Sequence, residues 1–174
     1  MIVTIAYGSI EGQTAKIADF IKGVATKNGF EATLIDTGRE IDELFFEGVD
    51  KFILAASVHE RRHPKPFETF IKTNRDALLA GSSLMLSVSL KAAFAKGREE
   101  AEDYLAEMIL RTGFEPDESA LVAGAVRPES YDYYEKEVVR HVVLRGRRVD
   151  LRDGIQEFTD WAALEAVVTA FLNR

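Results

Sequence analysis

The stretch GSIEGQTAKIA (8–18) decides how this chain is read. An apolar run, MIVTIAY (1–7), leads into it. Ile17, Phe20, Ile21 and Val24 follow at helical spacing, so the stretch turns a strand into a helix. The turn holds Ser9, Gly12 and Thr14 in the pattern S-x-x-G-x-T. It lacks the G-x-G-x-x-G of a dinucleotide fold, and Gln13 stands where a P-loop carries Lys. What remains is a set of uncharged donors: small hydroxyls and backbone N–H groups at a helix N-terminus, with the helix dipole behind them. Such a set suits a terminal monophosphate. A triphosphate needs charge and magnesium ligands that this turn does not supply.

Outward from the turn, apolar runs recur at EATLIDT (31–37), KFILAASV (51–58), SLMLSVSL (83–90) and SALVAGAV (119–126). They are nearly continuous rather than alternating, which marks parallel strands covered on both faces. Helical patterns lie between them at 11–29, 66–79 and 98–113, and a last one closes the chain at 159–173 with Thr159 or Asp160 as N-cap. Gly29 and Gly113 are placed to end helices, and Pro66 fits a first helical turn. The expected fold is α/β: a three-layer domain with a five-stranded parallel sheet. The charged segment 127–157 is too long for an ordinary connection and reads as an insertion after the fifth strand, with some helix. In open α/β sheets ligands bind beyond the carboxyl ends of the strands, at a switch point beside the first strand, which is where residues 8–18 fall.

The 174 residues suit one domain, 1–174, with 47% hydrophobic and 29% charged residues. The net charge of −7 argues against nucleic acid as the main partner, since a duplex needs a broad basic face. The chain has no cysteine, which excludes disulfides, iron–sulfur clusters and thiolate metal sites. No apolar run approaches the roughly 20 residues of a membrane-spanning helix, and the N-terminus lacks the pattern of a signal peptide. A cytoplasmic location is therefore expected.

Several segments resemble the flavodoxin superfamily, beginning with Ser9, Gly12 and Thr14 in its phosphate motif. The similarity is greatest to the flavodoxin-like, quinone-dependent protoporphyrinogen IX dehydrogenases of bacteria. It is carried by EGQT (11–14), AASV (55–58), SVSL (87–90), AGAVR (123–127), YDYY (131–134) and FTDW (158–161). The resemblance implies strand order 2-1-3-4-5 and FMN as cofactor. Ser9, Ile10, Glu11, Gly12, Gln13 and Thr14 would wrap its phosphate. The loops after the third strand (Ser57, Val58, His59) and the fourth (Ser87, Val88, Ser89, Leu90, Lys91) would sandwich its ring. Backbone N–H groups from Ser89 to Ala92 would meet the pyrimidine end, with Lys91 adding positive charge. The implied activity is oxidation of protoporphyrinogen IX with a quinone as acceptor. The alternatives are a flavodoxin-type electron carrier and a module that has lost its cofactor. Glu11, an acid beside the phosphate site, is the feature that keeps the last open.

The loop HERRH (59–63) spells the H-E-x-x-H of zinc proteases, but that motif needs a continuous helix and a third ligand. Pro64 pushes the residue before it away from helical angles. The segment is read instead as a loop, either merely solvated or touching flavin and substrate, with His59 and His63 as catalytic candidates by location only and no metal expected. Arg61, Arg62, Lys65 and Arg127 lie just past strand ends and are candidates to grip substrate carboxylates. Tyr131, Tyr133 or Tyr134 could cover the ring from the insertion. Valines and arginines within 135–148 suggest a peripheral contact with the inner face of the membrane.

Overall fold

Strand β1 (Ile2–Gly8) is buried along most of its length because helices cover both of its faces. Val3 and Ile5 point into one core; Ala6, between them and Gly8, points into the other. This double coverage is why the strand sequences are unbroken apolar runs. The structure, a computed structural model, describes residues 1–41, 44–126 and 155–174. In it β1 is joined by β2 (Glu31–Asp36), β3 (Lys51–Ser57), β4 (Ser82–Ser89) and β5 (Glu118–Ala123). All pair in parallel, in the order β2-β1-β3-β4-β5, as expected from the resemblance.

Helices α1 (Gln13–Lys27) and α5 (Trp161–Leu172) cover one face. Ile17, Ile21, Leu164, Val168 and Phe171 fill the core beneath them. Helices α2 (Lys65–Thr73), α3 (Arg75–Ala80) and α4 (Arg98–Thr112) cover the other face, through Phe67, Phe70, Ile71, Leu78 and Met108. Lys51 is buried, and its ammonium donates to the carbonyl of Phe171 at 3.1 Å, capping the negative end of α5.

The structure departs from the expected elements in two places. The helix read over 66–79 is two helices, α2 and α3. They part at Asn74, whose side-chain amide bonds to the carbonyl of Phe70 at 2.8 Å. A side chain that bonds its own backbone in this way competes with the helical ladder. The run 119–126 is also split. Strand β5 stops at Ala123, and β6 (Ala125–Val126) turns away to pair antiparallel with β7 (Gln156–Glu157). Gly124 lies at the break, donating to Ser89 O and accepting from Phe158 N. The last helix is capped by Asp160, whose Oδ1 accepts from Ala163 N at 3.0 Å.

At the carboxyl end of the sheet, on the face of α2, a row of minimal side chains runs across three strands. Gly8 is in register with Ala56, and Ala56 with Ser87. The row leaves room for residues 63–67 to descend onto the sheet. A Cβ on Gly8 would lie 2.9 Å from Cβ of Phe67 and 3.3 Å from Pro64 Cγ. His63 seals this seam: its residue is 1% exposed and its Nε2 lies 3.0 Å from Ser87 Oγ. Its Nδ1 has no hydrogen-bond partner among the described residues. Burial pushes the imidazole down to about 4, so the ring is neutral at pH 7.

Gly8→Ala should cost about 1–3 kcal/mol, by forcing Phe67 and Pro64 off the sheet end, and urea unfolding reads this directly. The imidazole of His63 binds its proton more weakly in the native state, near 4, than at its ordinary value of 6.5. Stability should therefore be complete above pH 6.5 and fall as pH drops from 6.5 towards 4, by on the order of 3 kcal/mol. His63→Asn should flatten this part of the pH–stability curve.

Candidate functional site

The sheet reverses its winding between β1 and β3. From β1 the chain moves to β2, then crosses back over β1 to β3. Loops leaving the carboxyl ends of β1 and β3 therefore diverge and open a crevice, the usual ligand position in such sheets.

The loop after β1 forms one side. Gly12 adopts φ 93°, a left-handed conformation that favours glycine, and turns the chain into α1. Its N–H donates to Ser9 Oγ at 3.0 Å, so this amide is used within the loop, while the Ser9 hydroxyl keeps a proton to donate. Ile10 is exposed at the tip, and Glu11 is half-buried beside it. Thr14 is 1% exposed, and its Oγ1 has no hydrogen-bond partner among the described residues. An unpaired buried hydroxyl costs about 1–3 kcal/mol, and an acceptor brought to the helix N-terminus would relieve that cost.

Gln13 does something the sequence reading did not foresee. Its side-chain amide donates to Glu157 Oε2 and Thr159 Oγ1, both at 3.0 Å, and Thr159 in turn donates to Ala123 O at 2.6 Å. Lys16 pairs with the same Glu157 oxygen at 2.6 Å, and the Trp161 indole donates to the other at 2.7 Å. Burial alone would raise the Glu157 carboxyl; the bonds from Lys16, Gln13 and Trp161 outweigh it and hold the group below its ordinary value. The start of α1 is thus fastened to the end of β5 and to the segment entering α5. Trp161 packs on Phe20, 4.9 Å between ring centres, on the outer side of α1.

The other side of the crevice is built by the loops after β3 and β4. Val58 N donates to Val88 O at 2.8 Å, and the Ser57 hydroxyl to Gly8 O at 3.4 Å, which ties the strand ends together. Residues 59–62 then make a tight hairpin: His59 N bonds Arg62 O at 2.9 Å and Arg62 N bonds His59 O at 3.0 Å. Its two central residues, Glu60 and Arg61, have φ of 48° and 65°. That turn rules out the helix a zinc-protease motif requires. Two successive left-handed residues, neither of them glycine, mark the hairpin as strained, as is common at functional sites.

Beyond β4, Leu90 leads into a short 3₁₀ turn, Lys91–Ala93, in which Ala92 N donates to Ser89 Oγ at 3.2 Å. Gly97 lets this turn sit on the start of α4, since a Cβ there would lie 2.5 Å from Lys91 O. Phe94 and Phe158 meet edge to face, 5.7 Å between centres.

The candidate cations are engaged by acids. Arg61 and Lys91 both bind Glu100, at 2.9 and 2.6 Å. Arg62 binds buried Glu68 at 2.8 Å, and Arg111 binds the other oxygen of that carboxylate at 2.8 Å. Burial alone would raise Glu68; its hydrogen bonds from Arg111 and Arg62 keep it below its ordinary value. Lys65 is placed elsewhere. It lines an open groove of about 590 Å³ between the loop after β2 and α2, with Arg39, Leu44 and Phe70. His59 sits at the base of the hairpin, whereas His63 is sealed behind Ser87 and reaches no surface. Arg127, the tyrosines at 131, 133 and 134, and segment 135–148 lie outside the described residues. Glu68, Glu100 and Glu157 were not singled out by sequence, each being one acid among many chosen by contacts across the fold, and Thr159 was read only as a helix cap, not as a partner of Gln13.

The flavodoxin domain family model matches residues 4–153. A curated relative from Escherichia coli, named protoporphyrinogen IX dehydrogenase [quinone], is 26% identical over 163 residues, 92% of this chain and 89% of that protein. A Leishmania major protein of the same name is 22% identical over 168 residues, 95% of this chain and 72% of its own length. Among solved structures, oxidised Flavodoxin 2 from Bacillus cereus superposes with a TM-score of 0.54 at 17% identity, covering 99% of both chains. Oxidised Flavodoxin 1 from the same organism gives 0.50 at 23% identity, over 82% of this chain and 99% of that one. With this match and the strand order β2-β1-β3-β4-β5, the chain belongs to the flavodoxin domain family.

Proposed function

We propose that this chain is an FMN-dependent oxidoreductase that oxidises a protoporphyrinogen-like tetrapyrrole and delivers the electrons to a quinone. The observation that carries the cofactor assignment is the buried hydroxyl of Thr14 at the head of α1, which has no partner among the described residues. It fits a phosphate: a donor without an acceptor, at the positive end of a helix, beside a glycine turn. Thr14 Oγ1, the Ser9 hydroxyl and the backbone amides of residues 10, 11, 13 and 14 would hold the phosphate, the Gly12 amide being spent on Ser9 Oγ. The loops that begin at Ser57 and Ser87 would flank the ring, with half-buried His59, Leu90 and Lys91 towards their ends.

When bound, the flavin supplies the chemistry by taking a hydride equivalent from the tetrapyrrole and releasing the electrons to the quinone. The chain's own part is to bind, orient and exclude water. Gln13 steadies the start of α1 by tying it to Thr159, and Ser89 holds the amide of Ala92 in the turn that faces the ring edge. His63 is neutral and buried, so its role is packing of the seam and not proton transfer. The choice of substrate and acceptor rests on the names of the two enzyme relatives. A second reading, a carrier that docks to redox proteins, is favoured by the net charge of −7 and by the acid partners of Arg61, Arg62 and Lys91.

Thr14→Val should weaken FMN binding about ten- to a hundred-fold while stabilising the ligand-free chain, because the orphaned hydroxyl is removed. Flavin fluorescence quenching and urea unfolding give the two signs, and unchanged FMN affinity overturns the phosphate assignment. Incubation of the FMN-loaded protein with protoporphyrinogen IX and menadione should produce porphyrin fluorescence faster than autoxidation. No excess rate, with FMN bound, overturns the enzyme reading in favour of the carrier.

A further inference from the structure

Glu100 lies in the first turn of α4, outside every segment that carried the resemblance. Its carboxylate nevertheless gathers three donors from three places. Arg61 of the hairpin reaches Oε1 at 2.9 Å, Lys91 of the turn after β4 reaches Oε2 at 2.6 Å, and the Tyr104 hydroxyl donates to Oε1 from one helical turn further on. The guanidinium of Arg61 also lies over the Tyr104 ring, 5.3 Å from its centre. The hydrogen bonds from Lys91 and Tyr104, with the nearby charge of Arg61, hold the Glu100 carboxyl below its ordinary value, so it is ionised at neutral pH.

The two loops that Glu100 joins leave neighbouring strands, β3 and β4, which pair up to Ser57 and Val88. Beyond that register their backbones separate. The hairpin carries two left-handed, non-glycine residues, and such a turn persists only where surrounding contacts hold it. Arg61 is one of the two strained residues, and Glu100 is its ionic partner. The turn after β4 is pressed on α4 at Gly97, where no side chain would fit, and Lys91 continues that contact to the same carboxylate.

We propose that Glu100 is a positioning residue, which clasps the hairpin 59–62 to the turn 91–93 and so sets the gap into which the flavin ring fits. The inference rests on the flavin reading above. Glu100 touches neither phosphate nor ring in this role; it acts through Arg61 and Lys91. It also pairs with both cations, one negative charge against two positive, so the positive charge expected of Lys91 at the ring edge is reduced and not cancelled.

The test compares FMN with riboflavin, which has the ring but no phosphate, by fluorescence quenching in about 1 M salt, where screening cuts the Debye length to about 3 Å and removes the charge effect of the substitution. Glu100→Gln should weaken both ligands about ten-fold and leave their affinity ratio unchanged, the loss expected for charge-assisted bonds. Thr14→Val should do the opposite, weakening FMN alone. Arg61→Ala, at an exposed side chain that cannot decide folding, should weaken both flavins in the same sense. In an Arg61→Ala/Lys91→Met background, Glu100→Gln should add less than about two-fold, since the partners it acts through are gone. A changed ratio, or no loss with either flavin, overturns the clasp while leaving the cofactor assignment standing. A wild-type chain that takes up neither flavin overturns the assignment, and the clasp with it.

Discussion

The functional end of this molecule depends on how closely a chain can approach the carboxyl edge of its sheet. Gly8, Ala56 and Ser87 lie side by side in the last full row of β1, β3 and β4. Because none of them projects far, Pro64 and Phe67 settle directly on the sheet, and His63 closes the seam with one bond to Ser87. That descent starts α2 and fixes where the hairpin before it emerges. The hairpin's position in turn decides whether Arg61 can reach Glu100. One steric allowance in three strands thus propagates to a polar contact at the crevice rim.

Charge at this rim is arranged in closed local sets. Arg61 and Lys91 share Glu100; Arg62 and Arg111 share Glu68; Lys16, Gln13 and the Trp161 indole share Glu157. Each carboxylate offsets part of the charge of the bases around it, so the positive field offered to an approaching ligand is reduced. For the phosphate proposed at the head of α1, recognition would fall to dipoles and hydroxyls, whose strength depends on geometry more than on ionic strength. The buried members of these sets, above all Glu68, also hold α2 and α4 together; removing one partner would strand a charge inside the protein.

The strands and most helices were legible because they obey local rules. Apolar runs signalled two-sided burial, and Gly29 and Gly113, both left-handed in the structure, ended α1 and α4 where expected. Pro64 correctly argued against a helical HERRH. Most of what escaped was non-local. Asn74 is the local exception, its amide folding back on Phe70 four positions earlier, whereas β6 leaves the main sheet for a partner, β7, far along the chain. His63 looked like a loop residue because the small side chains that make room for it come from three separate strands. Lys65 and Arg61 are four positions apart, yet the intervening descent onto the sheet sends Lys65 to the groove beside α2. The glycine turn into α1 was readable since its residues are contiguous; the cation partners were not, since each ion pair joins separate elements.

The short ladder between β6 and β7 has a topological implication. Ala125 faces Glu157 and Val126 faces Gln156, so the chain departs for residue 127 and returns at residue 155 through neighbouring points, about 5 Å apart as in any antiparallel pair. Whatever lies between those stems can be lengthened, trimmed or exchanged without rerouting β5 or α5. The β6–β7 stem thus uncouples the length of the chain it carries from the path of the sheet.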